Sequence, residues 1–428
     1  MSDSISQMRD KRPEGVVGGR RYKRPETARP KAATPASIVA WLHGPAHSVG
    51  SPIKLVDGLA WRLVAAGFPI DRLGVTVALL HPQFSGYGIR WWRDIGEAQE
   101  SLVGHEVSQS DVYRNSPFPP VVERGETVRV RIEPQAAAYP YPVIADLAAQ
   151  GYTDYLVLPV RLRAFASTGS KRQFQTCAFS TKRPGGFTDD EVKALGRIVD
   201  ELAGPLALVS ERRIARDVLS LYLGRSTGPR VLAGEIRRGT GDPIRAAILA
   251  TDMRGFTALT DRLPAGRIIE ILNAWFERQV GAVHAHGGEV LKFVGDGMLA
   301  IFPIEDVEFA RMSAREALAA AREALSCARA MDADPEFADA RPLRAVAALH
   351  AGEIFYGNIG APDRLDFTAI GPSVNVVSRL ETLAKSLDVE LVVSEAFAES
   401  CPEPLASLGS HALKGVAEPL EAFTVRVR

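Results

Sequence analysis

The chain has 428 residues, with 51 Lys+Arg against 51 Asp+Glu and a formal net charge of zero. Such a length predicts two or three domains with ample core material, and the charge balance excludes a global electrostatic pull toward nucleic acid or an anionic surface. Three cysteines (Cys177, Cys327, Cys401) without metal spacing, no secretory signal and no run near the roughly 18 apolar residues of a membrane span read as a cytoplasmic chain without a transmembrane segment.

Residues 1–35 form the first segment. Nine Lys/Arg stand against four Asp/Glu in its first 32 residues, with Gly18-Gly19, Pro13, Pro25 and Pro30 and few apolar groups. It reads as a disordered, solvated tail. A polybasic contact is the lesser reading, because aromatic or amphipathic patterning is missing.

Residues 36–206 have a globular composition. Ile38–Leu42 and Ile53–Ala66 read as helices and Val75–Leu80 as a strand; Val121–Ile132 reads as extended and Pro142–Ala149 as a helix. Tyr155–Leu162 and Phe174–Ser180 read as paired strands. Thr188, with Glu191 three residues on, reads as a capping box for a helix that turns Val192, Leu195, Ile198, Val199, Leu202 and Leu206 inward. The group Tyr87, Trp91 and Trp92, with His81, Arg90 and Arg93, reads as core or dimer-surface packing in preference to a ligand pocket.

Residues 207–243 read as a helical connector, with Val209, Ile214, Val218, Leu221 and Tyr222 as one stripe and breaks at Gly224 and Gly228-Pro229. Packing between two protomers and a plain surface linker both remain open for it.

Residues 244–428 carry the clearest pattern. Ile244–Ala250 is an apolar run without polar alternation, the mark of a strand buried on both faces. It ends in Thr251-Asp252, and Met253-Arg254-Gly255-Phe256-Thr257 turns into a helix carrying Ile268, Leu272, Trp275, Phe276, Val280 and Val283. Glu289–Val294 and Met298–Phe302 flank Gly295-Asp296-Gly297, a hairpin signal. A long Ala-rich helix over Val307–Met331, a strand over Leu343–His350, a turn at Ala351-Gly352-Glu353 and a strand over Ile354–Asn358 follow. The order is β-α-β-β-α-β, a split ferredoxin-like arrangement. Phe367–Gly371 reads as extended, Ser373 opens a helix, and Val389–Ser394 and Ala412–Val427 finish the sheet. In this topology Asp252 and Asp296 converge at one sheet edge beside a helix N-terminus, which suits divalent cations and a polyphosphate. Asn375 and Arg379 are one helical turn apart and share a face. His286 and His350 read as structural.

The stretches IRAAILATDMRGFT, HGGEVLKFVGDGMLAIFP, DRLDFTAIGPSVNVVSRLE and LKGVAEPLEAFTV resemble the class III nucleotidyl cyclases, over about the last 185 residues. The resemblance implies an α+β chain: a ferredoxin-like, palm-type cyclase domain, preceded by the connector and by a mixed α/β domain that weakly resembles the GAF family of sensors. It implies an adenylate cyclase that converts ATP to 3′,5′-cyclic AMP and diphosphate with two divalent cations, Mg²⁺ or Mn²⁺. Asp252, Asp296 and the Met253 carbonyl are then the metal ligands. Asn375 orients the ribose and Arg379 stabilises the charge on the phosphorus oxygens; a plain ion pair of Arg379 with Glu381 is the lesser alternative. Lys292 and Thr368 select the base: lysine supplies only donors and the threonine hydroxyl can accept, which fits adenine, whereas guanine would want a carboxylate in place of the lysine. Lys292 merely snorkelling from an edge strand is the competing reading. Lys414 and Arg364 hold the terminal phosphates, and Gly255 and Phe256 are counted among the substrate-binding residues. In the family the two groups of residues meet across a head-to-tail homodimer. A guanylate cyclase and a non-catalytic nucleotide-binding module are the alternatives; a diguanylate cyclase is disfavoured because the hairpin tip lacks Gly-Gly-Asp/Glu-Glu-Phe. No nucleic-acid partner is expected, and a small-molecule ligand of the N-terminal domain is left open.

Overall fold

A computed structural model describes residues 15–133, 136, 138–162, 174–306, 308–416 and 418–425. The chain divides into two compact units, Met1–Val218 and Leu219–Arg428.

The first unit is built on one antiparallel sheet of seven strands: β1 (Val16–Lys23), β2 (Arg72–Ala78), β3 (Phe84–Trp92), β4 (Glu97–Gly104), β5 (Val128–Arg131), β6 (Asp154–Val160) and β7 (Gln175–Thr181). Their order is β1-β4-β3-β2-β7-β6-β5. Its helices are α1 (Pro35–His43), α2 (Pro52–Ala65), α3 (Asp111–Arg114), α4 (Phe118–Arg124), α5 (Pro142–Ala149) and α6 (Asp189–Leu223). The α6 capping box is present, since Glu191 N donates to Thr188 Oγ1 at 3.2 Å and Thr188 N to Glu191 Oε2 at 2.7 Å. Leu195, Ile198, Val199, Leu202 and Leu206 are buried, as the helical spacing predicted. Tyr87, Trp91 and Trp92 are buried too, in keeping with packing. Asp154 is fully buried and held by Arg129 and by the Phe187 amide, so the strand it opens is a core strand.

Three expectations are corrected. Of the tail expected over 1–35, residues 1–14 lie outside the described residues, and the rest is ordered: Val16–Lys23 pairs with β4 and α1 starts at Pro35. The extended reading of Val121–Ile132 gives way to α4 followed by β5, because Pro119 sits in the first turn and Gly125 ends the helix with φ 69°. The connector does not begin at 207. Helix α6 is continuous to Leu223, so residues 207–218 belong with the first unit, where Tyr87 Oη meets Ser210 Oγ at 2.8 Å and Arg213 Nη1 donates to buried Glu100 at 2.7 Å.

The second unit holds α7 (Thr227–Leu232), β8 (Gly241–Arg254), α8 (Phe256–Arg262), α9 (Ala265–Ala285), β9 (Glu289–Val294), β10 (Gly297–Ile304), α10 (Ala310–Ala333), β11 (Arg344–Ala361), β12 (Arg364–Ile370), α11 (Pro372–Ser386), β13 (Leu391–Ser394), α12 (Glu395–Ala398), β14 (Leu405–His411) and β15 (Leu420–Val425). The sheet order is β14-β15-β13-β11-β8-β10-β9, with β12 folded back on β11. The segment β8–β11 is the split β-α-β-β-α-β unit expected from the pattern, with β8 central between β11 and β10. Two faces explain the uninterrupted apolar run of β8. Ala247, Leu249 and Met253 pack under α9 and α10, and Ala246, Ile248 and Ala250 pack under α11. The turn expected at Ala351–Glu353 is absent, because β11 pairs with β8 straight through it.

Candidate active site

Asp252 follows Ala246, Ile248 and Ala250 along one face of β8, so its side chain emerges on the α11 side where the apolar run ends. Gly255 then takes φ 73° to turn the chain into α8, a conformation that a side chain resists. Across the ladder, Thr251 pairs with Met298, which brings the β9–β10 hairpin alongside. Gly295 takes φ 63° at the hairpin tip. Asp252 Oδ1 comes so close to the hairpin that a Cβ on Gly297 would lie 3.1 Å from it.

Asp296 is fixed from the other side, since Trp275 Nε1 of α9 donates to its carbonyl oxygen at 2.9 Å. Burial pushes the Asp296 carboxyl up to about 6, and the neighbouring Asp252 carboxylate adds to the shift. The structure thus brings the two carboxylates together, as the topology predicted.

A cation already sits on Asp252. Lys385, near the end of α11, bonds through Nζ to Asp252 Oδ2 and lies 2.9 Å from Glu381 Oε1 one turn earlier. Burial opposes the charge on Lys385, but its bonds to the two carboxylates outweigh that and raise its pKa. Glu381 rises through burial, with Asp252 adding to it and Lys385 opposing. Sequence reasoning missed both; the Glu381/Lys385 spacing of one helical turn was the available signal. The structure pairs Glu381 with Lys385 in place of Arg379. Arg254 fastens the same helix end, donating to the carbonyls of Ala384 at 3.1 Å and Val389 at 2.8 Å and pairing with Asp388.

Asn375 and Arg379 are exposed on α11. At about 1.5 Å per residue, Asn375 lies roughly 15 Å along the axis from Lys385, so the chain does not bring it to Asp252. Lys292 pairs with Leu299 and shares its sheet face, the one that α11 covers. Thr368 on β12 is buried, and its Oγ1 lacks a hydrogen-bond partner; strand β12 lies against β9, which carries Lys292. Lys414 and Arg364 are exposed, Phe256 is half-buried and Met253 packs into the core with its side chain. His350 bonds Ser394 Oγ at 2.8 Å and His286 bonds Glu323 at 2.8 Å, in line with structural roles.

Among the described residues no group of three or more His, Cys, Asp and Glu side chains gathers as a metal site. The two aspartates and nearby main-chain oxygens are a donor set that could hold a hard divalent cation. A cleft of about 370 Å³ lined by Ala285, His286, Gly287, Phe302, Pro303 and Met312 lies toward the other end of β10 and has no part in this chemistry.

Residues 243–415, most of the second unit, match the model of the adenylate and guanylate cyclase catalytic domain. Adenylate cyclase 1 of Rhizobium meliloti is 30% identical over 181 residues, covering 41% of this chain and 26% of that protein. An uncharacterized protein of Mycobacterium tuberculosis is 34% identical over 189 residues, covering 43% of this chain and 32% of that protein. The chain therefore spans a third or less of the length of these relatives. Among solved structures, the adenylyl cyclase CyaB from P. aeruginosa aligns with 25% identity and a TM-score of 0.39, over 44% of this chain and 97% of that one. The guanylyl cyclase Cya2 aligns with 26% identity and a TM-score of 0.38, over 44% and 95%. No helix among the described residues is long and apolar enough to cross a membrane.

Proposed function

We propose that the second unit is an adenylate cyclase, converting ATP to 3′,5′-cyclic AMP and diphosphate by attack of the ribose 3′-hydroxyl on the α-phosphorus. The observation that carries this is the convergence of Asp252 and Asp296 beside a helix N-terminus, within the residues that match the cyclase catalytic domain. Cyclases of this class are generally dependent on divalent metal. Asp252 and Asp296, with the Met253 carbonyl, are the residues to hold it; two such ions supply charge neutralisation and lower the pKa of the attacking hydroxyl.

The chain's own residues do the positioning. Arg379 presents a planar, permanently charged fork for oxygens of the α-phosphate, and Asn375, one turn away, orients the ribose. Lys292 and Thr368 receive the base. The partnerless buried hydroxyl of Thr368 supports a ligand contact there, because such a group is costly to leave unmet. Lys414 and Arg364 take the terminal phosphates, with Gly255 and Phe256 at the phosphate-facing turn. The separation of Asn375 from Asp252 along α11 supports a site completed by a second copy of the chain, hence a homodimer with two equivalent sites. The antiparallel sheet of the first unit and its long terminal helix support a GAF-like sensor that regulates the cyclase.

Purified protein assayed with ATP and GTP, each with Mg²⁺ and Mn²⁺, tests the reading. Cyclic AMP is the expected dominant product; turnover of GTP equal to that of ATP would overturn the choice of base, and no turnover of either would overturn the enzyme.

A further inference from the structure

The ammonium of Lys385 takes Oδ2 of Asp252, one of the two oxygens that carboxylate offers to a cation, while Oδ1 faces the hairpin. The Lys385 side chain is 39% exposed while that of Asp252 is 14% exposed, so the lysine has solvent to swing into and the aspartate does not. Two or three close carboxylates without a cation repel one another and lose hydration; Lys385, bonded to Asp252 and Glu381, relieves that.

Fastening α11 to β8 does not require this lysine. Arg254 holds the end of α11 by two carbonyls and Asp388. Lys385 is thus the more exposed cation of the two, and Arg254 the one tied to main-chain oxygens. Resting on the reading of Asp252 and Asp296 as metal carboxylates, we propose that Lys385 is a built-in counter-cation that divalent ions displace when they bind. Binding then swaps one unit charge for a double one, while Glu381 stays behind to receive the released ammonium one turn away on the same helix. The consequence is a domain that keeps its acidic cluster compact without metal and pays for this with weaker metal affinity.

The test is Mn²⁺ binding to the full-length protein without nucleotide, followed by calorimetry or by electron paramagnetic resonance of free Mn²⁺. Lys385→Gln should bind Mn²⁺ at least about tenfold more tightly than wild type, since a repelling charge has been removed from a partly desolvated site. Lys385→Arg, which keeps the charge, should stay within about twofold of wild type. Metal-free Lys385→Gln should melt below wild type, because the carboxylates it leaves repel one another, and saturating Mn²⁺ should remove the difference; Lys385→Met, which keeps the aliphatic stem, gives the same comparison if Gln unfolds the protein. Unchanged or weaker Mn²⁺ binding by the neutral variants overturns the counter-cation role and makes Lys385 a strut. Asp252→Asn separates the two ideas. Its loss of Mn²⁺ binding keeps the metal assignment whatever Lys385 does, and wild-type Mn²⁺ binding by Asp252→Asn overturns that assignment itself.

Discussion

The hydroxyl of Thr227 meets the phenol of Tyr356 at 2.7 Å, both groups buried, across 129 residues of sequence. Thr227 opens the short helix between α6 and the cyclase sheet, and Tyr356 stands on β11. The Tyr356 ring packs edge-on against Phe367, with centroids 4.9 Å apart, and Phe367 precedes Thr368. The adjacent Ser226 bonds Glu289, three residues before Lys292 on β9. The connector therefore grips β9, which carries Lys292, and β11, the strand with which β12, the Thr368 strand, is paired.

Tyr356→Phe should leave the Thr227 hydroxyl buried without its partner, at a cost of about 1–3 kcal/mol. Adding Thr227→Val should recover part of it, since removing both polar groups is nearly neutral. Urea denaturation of the single and double variants checks this.

His350 gives a pH dependence. Burial lowers its pKa from 6.5 to about 4, so the unfolded chain takes up a proton in that interval and the folded protein does not. Its contribution is present above pH 6.5 and is lost as pH falls toward 4, by on the order of 3 kcal/mol. His350→Gln, able to keep a bond to Ser394, should show a flatter fall. Stability against pH for the two proteins, compared as a difference, isolates this residue from Asp296, whose raised pKa acts in the opposite sense.

Lys292→Glu should erase the preference for ATP over GTP, because a carboxylate accepts where the lysine donates. The ratio of kcat/KM values reads it directly; an unchanged ratio would return Lys292 to the role of a snorkelling edge residue.

Asp252→Ala and Asp296→Ala should each lower turnover by roughly two to three orders of magnitude, the scale for losing an electrostatic stabiliser at a reacting centre. Circular dichroism should stay native. Near-wild-type turnover in either variant would sink the paired-carboxylate site.

The site was legible where local chemistry and topology agree. The two-faced apolar run of β8, the Gly-Asp-Gly turn and the helical spacing of Val377 and Leu380 each point one way, and the ladder from Thr251 to Met298 joins them. Strands β3 and β4 were hidden, because Gly86 and Gly88 interrupt one and Gln99, Glu100 and Ser101 are buried polar residues in the other. Val121 and Val122 suggested a strand, yet a proline start and a left-handed glycine stop made a helix. Lys385 was invisible for a different reason. Its partner Asp252 lies 133 residues away, and a surface-looking lysine at a helix end carries no local sign of such a contact.

The measurement that tests the shared site most directly mixes two dead proteins. Asp252→Ala and Arg379→Ala should each be nearly inactive alone. In verified heterodimers one site carries both lesions and the other neither, so activity should return to about half that of wild type per dimer, as expected of two equivalent sites. Heterodimers that remain inactive would contradict the account and require Asp252 and Arg379 to act within one chain.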